Sequence, residues 1–108
     1  MAFDALVVAE QLVAALRGPL EQVQRRDPDL ARQARKATSS IALNVSEGRH
    51  RAGKDRFHLY RIAEGSGGEL RTALTVAVAW GYVTRSSLAE ANALLDREMA
   101  MLWKLTHG

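Results

Sequence analysis

Apolar residues in this 108-residue chain recur every three or four positions through four successive segments, and nowhere alternate with polar ones over the length of a strand. A spacing near 3.6 marks a helix with one buried stripe, whereas a spacing of two marks a half-buried strand. The chain is therefore restricted to an all-α fold. In the first segment, about 4–25, the stripe is Ala5, Leu6, Ala9, Leu12, Val13, Leu16, Leu20 and Val23. Gly18-Pro19 lies inside it and predicts a kink or local break, because proline lacks the N–H of the helix ladder. The second segment, about 28–47, opens at Asp27-Pro28, an N-cap followed by a residue favoured at the first helical position. Its stripe is Leu30, Ala34, Ala37, Ile41, Val45 and Gly48, and Gly48 is expected to stop it in the left-handed conformation. The third runs from about 55 to 80 and ends at Gly81. The fourth, about 87–106, starts at Ser87-Leu88-Ala89-Glu90, an S-x-x-E capping box. It continues through Leu88, Ala91, Leu95, Met99, Leu102 and Leu105. Short connections make consecutive helices antiparallel neighbours. The expectation is one domain over residues 1–108, an antiparallel up-and-down four-helix bundle.

Helix three carries more apolar surface than one bundle core needs. Leu59, Ala63, Leu70, Leu74 and Ala77 form one stripe, and Ile62, Ala73, Val76 and Trp80 widen it to about half the circumference. Leu94 and Met101 widen helix four in the same way. The excess predicts self-association. Gly65, Gly67 and Gly68 also interrupt helix three. Each mid-helix glycine costs up to about 1 kcal/mol relative to alanine, a cost that close approach of another backbone would offset. A break into two shorter helices is the competing reading.

Charge is unevenly spread. From Arg25 to Arg61 ten basic residues face four acids, a net +6, while the remainder carries five basic and eight acidic residues, a net −3. Arg32, Arg35 and Lys36 project from the outer side of helix two, with Leu43 among them. Arg49, Arg51, Lys54 and Arg56 crowd the basic connection that follows. Such a layout suits an anionic partner such as nucleic acid. The absence of cysteine excludes disulfides, thiolate zinc sites and a cysteine nucleophile, and fits a cytoplasmic protein. The opening MAFDALVVAEQLVAAL has no basic leader and is interrupted by Asp4 and Glu10, so it reads as a helix and not a signal peptide. No run is long enough to span a bilayer, and no membrane partner is expected.

Catalytic and metal chemistry find little support. The glycine cluster Glu64–Leu70 lacks the lysine and Ser/Thr of a phosphate loop. Glu47-x-x-His50 and Asp55-x-x-His58 have carboxylate–histidine spacing, but arginines surround both and a di-iron core needs further glutamates. No metal or cofactor is expected. Ser39, Ser40 and Ser66 have no histidine–acid pair at a useful spacing. Asn44 and Glu47, beside the core stripe, are expected to hydrogen-bond across helices or cap a terminus. Glu69 is placed to pair with an arginine of helix two. Trp80, Tyr82 and Trp103 offer base-stacking rings, although core or interface packing is the simpler role.

The helix-two block Gln33, Arg35, Lys36, Ala37, Ser40, Ile41, Asn44, Val45, Ser46, Glu47 and Gly48 resembles the pattern Q-x-R-[RK]-A-x-x-S-I-x-x-N-[IV]-[AS]-E-G. That pattern belongs to the four-helix bundle proteins encoded in intervening sequences of 23S ribosomal RNA genes. Gly65, Ser66, Glu69 and Leu70 then match a G-S-x-x-E-L element, and Trp80, Gly81, Tyr82 and Val83 stand at a closing L-G-Y-[IV]. Trp80 replaces the common leucine, and Gly67 and Gly68 replace larger residues. The resemblance implies a non-enzymatic helical protein, in several members a ring-like homopentamer. It also implies kinship to the accessory variability determinant (Avd) protein of diversity-generating retroelements, a basic pentamer that binds nucleic acid and works with a reverse transcriptase.

The functional expectation is thus a homo-oligomeric protein that is not an enzyme and contacts RNA or DNA phosphates through Arg32, Arg35, Lys36, Arg49, Arg51, Lys54 and Arg56. Asn44, Glu47, Gly65, Gly67, Glu69, Leu43 and Trp80 are the expected structural or interface positions. The alternative is an oligomeric adaptor presenting helices to a protein such as a reverse transcriptase.

Overall fold

The computed structural model describes residues 4–108. They form α1 (Asp4–Arg26), α2 (Pro28–Arg49), α3 (Gly53–Ala79), a short 3-10 turn (Ser86–Leu88) and α4 (Ala89–His107). The helices stand in a square in which α1 packs on α2 and α4, and α3 packs on the same two. The assembly measures 42 × 23 × 19 Å. The long dimension matches the 27 residues of α3 at about 1.5 Å each. Pairs across the helices show that neighbours run antiparallel. Ser40 meets Ser66 and Gly48 meets Tyr60 between α2 and α3, while Arg71 meets Asp96 and Gly67 meets Met99 between α3 and α4. The chain is an all-α, up-and-down four-helix bundle.

The core is built from Leu12, Leu16, Ile41, Leu70, Leu74, Leu95 and Leu102, each 2% exposed or less, with Val83 and Leu88 closing one end. Small residues dominate the rest. Ala31, Ala34 and Ala37 on α2 and Ala63, Ala73 and Ala77 on α3 are buried, which lets those helices approach closely. The stripes need local correction. Val13 and Leu105 are exposed, Met99 is half-buried, and Val8, Tyr60 and Glu98 are buried instead.

Helix ends follow local chemistry. Asp27 alone connects α1 to α2, and its carboxylate accepts the Leu30 N–H at 3.0 Å while Pro28 opens the helix. After α3, Gly81 adopts φ 77°, Gly81 N–H reaches Val78 O at 2.9 Å and Tyr82 N–H reaches Ala77 O at 3.0 Å. This is the paired bonding of a Schellman stop, where a side chain would be strained. Two expectations fail and one is narrowed. Of the kink or break expected at Gly18-Pro19, the break does not occur, since α1 runs through it. Gly48 stays inside α2, and its missing side chain makes room for the Tyr60 ring, whose Cε1 would lie 2.6 Å from an added Cβ. The capping box does not form, because the Ser87 hydroxyl donates to Thr84 O while Thr84 Oγ1 accepts the Ser87 N–H.

Candidate nucleic-acid interface

The inward stripe of α2, from Ala31 to Gly48, packs against α1 and α3. Its opposite side is thereby left to solvent. All seven predicted cations, Arg32, Arg35, Lys36, Arg49, Arg51, Lys54 and Arg56, are exposed. Arg32, Arg35 and Lys36 converge with Gln24, Asp29 and Ser39 on an open groove of about 510 Å³ where α1 ends and α2 begins. Arg35 donates to Gln24 Oε1 at 2.5 Å, and Arg32 to Asp29 at 2.9 Å. The Arg32–Asp29 pair is largely exposed and one helical turn apart, so it contributes little and yields readily to another anion. Lys36 has no hydrogen bond or ion pair among the described residues.

The second group surrounds the α2–α3 turn. Arg51 pairs with Glu47 at 2.6 Å, both half-exposed. Arg56 reaches back from α3 and donates to Gly48 O at 3.2 Å and Arg49 O at 3.3 Å. Gly48 O also accepts the Arg51 N–H at 3.1 Å, and a guanidinium at these last carbonyls of α2 suits the negative end of the helix dipole. Arg56 therefore fastens the turn. Burial pushes the Tyr60 phenol up, while the nearby Arg56 and Arg49 pull it down. Lys54 is exposed and unpaired among the described residues. Thirteen residues separate Lys36 from Arg49, about 20 Å of helix. The basic surface is thus two clusters at opposite ends of α2, with Leu43, 69% exposed, between them.

The expected structural positions have varied roles. Asn44 Nδ2 donates to Ser40 O at 2.9 Å and Ser40 Oγ at 3.1 Å, inside its own helix. The bridge across helices is the 2.7 Å hydrogen bond between Ser40 Oγ and Ser66 Oγ. Glu47 serves Arg51 and not a helix cap. Gly67 faces Met99, so its close contact is with α4 of the same chain. Gly65 and Gly68 face open space and leave α3 unbroken. Glu69 is exposed and makes no ion pair among the described residues. Trp80 and Trp103 are 66% and 58% exposed, so neither is a core residue. Among the described residues no group of three or more His, Cys, Asp or Glu could hold a metal, and no helix is long and apolar enough to cross a membrane.

Sequence reasoning missed Glu98. Its side chain is fully buried at the middle of α4, and neither carboxylate oxygen has a hydrogen-bond partner. Burial pushes its pKa from an ordinary 4.5 to about 8. The spacing Ala91, Leu95, Glu98, Leu102 carried the signal, since four-three-four steps place it on the core stripe. Arg25, Arg26 and Tyr82 were also left out of the site, although they line one groove beyond the end of α1.

The family model described as 23S rRNA-intervening sequence protein matches residues 5–104. No curated protein matches the sequence. Among solved structures, the chain is similar to a protein with unknown function from the S23 ribosomal protein family of Bacteroides thetaiotaomicron VPI-5482. The TM-score is 0.87 at 14% identity, over 96% of this chain and 99% of that one. At that identity the likeness concerns the fold.

Proposed function

This chain belongs to the 23S rRNA-intervening sequence protein family, and from that premise we propose that it is a self-associating, non-enzymatic protein that binds nucleic acid by its phosphates. The carrying observation is the groove where Arg32, Arg35 and Lys36 converge against a single acid, Asp29. Arg49, Arg51 and Lys54 form a second contact at the far end of α2, too distant to share one phosphate with the first. Two separated clusters suit a polyanion, whose charges repeat along its length, better than a small ligand. Contacts of this kind give affinity without reading sequence. Self-association is supported by exposed apolar residues near the opposite end of the bundle from the groove, Ile62, Trp103 and Leu105.

The test is binding against salt with two triple variants, Arg32→Gln/Arg35→Gln/Lys36→Gln and Arg49→Gln/Arg51→Gln/Lys54→Gln. Each is expected to weaken RNA and DNA binding across all sequences and to flatten the salt dependence. Unchanged binding in both, or no binding by the parent at about 50 mM salt, where phosphate contacts are strong, favours the protein-adaptor reading. Exposed Leu43, in the middle of the outer face of α2, is the observation on that side.

A further inference from the structure

The end of the bundle where α1 stops and α4 begins carries a feature that phosphate contacts alone do not use. The Gly81 stop presents the residues on either side of it, Trp80 and Tyr82, outside the helix. Their rings lie 6.4 Å apart between centroids, with planes 18° from parallel. Tyr82 is held in place. The Arg26 guanidinium lies 5.6 Å from its ring centre. Trp80 is 66% exposed, so a face of its indole is open. Beside them a groove of about 420 Å³ is lined by Gln22, Arg25, Arg26, Tyr82, Thr84 and Ser87. Arg25 and Arg26 are exposed and form no ion pair among the described residues. The acid next in the chain, Asp27, is engaged by the Leu30 N–H.

We propose that this end of the bundle binds an unpaired nucleic-acid strand, with a base stacked on Trp80 and the adjoining phosphates on Arg25 and Arg26. The proposal deepens the phosphate-binding reading and rests on it. An exposed ring with a cationic rim is the combination that single strands require, and the stacking is tolerant of sequence because every base has a π-face. A duplex offers the same phosphates but hides its base faces in the stack. A second copy docking its own Trp80 here would set Arg25 and Arg26 against their like, which opposes association.

The test uses the full chain with Trp103→Phe, which leaves Trp80 as the one indole of two. Short oligouridine and oligothymidine strands and a duplex of equal length are titrated at several salt concentrations. Both strands are expected to quench Trp80 emission and the duplex is not. Trp80→Ala, made in the parent and followed by anisotropy, is expected to weaken strand binding about ten-fold, the scale of one base–aromatic stack. Duplex affinity and the salt slope should stay unchanged, and Trp80→Phe should keep most of the affinity. Arg25→Gln with Arg26→Gln should flatten the slope for single strands by roughly 0.7 per lost contact. If the parent binds strand and duplex but Trp80→Ala changes neither, stacking is wrong and the phosphate reading stands. If the parent binds neither at low salt, both readings fall. A Trp80→Ala variant that shrinks the assembly while strand affinity holds makes Trp80 a contact between copies and overturns the proposal.

Discussion

Glu98 sets the pH response of the fold. With no partner for either oxygen, its carboxyl is accommodated by staying protonated, and burial holds it so up to about pH 8. Below its ordinary value of 4.5 both the folded and the unfolded chain carry the proton, and the group costs nothing through linkage. As pH rises above that, the unfolded chain ionises and the folded one does not, so stability falls until the folded carboxyl also ionises near 8. The whole loss is on the order of 5 kcal/mol. Urea melts at about pH 5 and about pH 8.5 should show this drop, and Glu98→Gln should remove most of it. A variant with the parent's pH profile would rule the carboxyl out as its source. Hydrophobic spacing marked the position as core, yet residue type argues for the surface, because an unpaired buried carboxylate is so costly. Composition-weighted reading therefore moved the stripe one residue on, to Met99. The reverse error occurred at Gly48. Its place in the stripe was legible, but the reason for glycine was taken to be backbone conformation when it is the Tyr60 ring.

Within the helices, legibility follows the range of the interaction. The Asp27 cap and the Gly81 stop depend on bonds spanning a few residues, and the sequence displays them directly. The Ser87 capping box is equally local, but Thr84 competes for the same N–H, and the winner is not written in the S-x-x-E pattern. The pairing expected of Glu69 depended on side-chain reach across two helices and did not form. The glycines of α3 divide in the same manner. Gly65 stands over open space, so Gly65→Ala should stabilise the helix by about 0.5–1 kcal/mol. Gly48→Ala in α2 drives a methyl into a buried ring and should cost about 1–3 kcal/mol. Thermal melts of the two alanine variants should move in opposite directions. If both rise, the contact between Gly48 and Tyr60 does not constrain the packing of α2 on α3.

At the scale of the whole molecule, the amphipathic faces were legible as a bundle, but their division between core and free surface was not. Periodicity reports which side of a helix is apolar and not which neighbour covers it, so Trp80, Trp103, Ile62 and Leu105 could not be told from core residues. If Ile62, Trp103 and Leu105 serve self-association, light scattering at micromolar concentration should give a mass well above 11.9 kDa, and Trp103→Ser with Leu105→Ser should lower it. A monomeric parent would exclude that role. The square packing has one more consequence, for the order of events. Three of its four faces join helices consecutive in the chain, and only α1 against α4 must close over nearly its full length. Local pairings come cheaply in loop entropy and the long closure does not, so the α1–α4 face should close last, and core positions such as Glu98 should be sealed from water only with it. An interaction formed after the transition state alters unfolding and spares refolding. In stopped-flow mixing, the penalty on α4 should therefore emerge as an unfolding rate that climbs with pH beside a refolding rate that stays level.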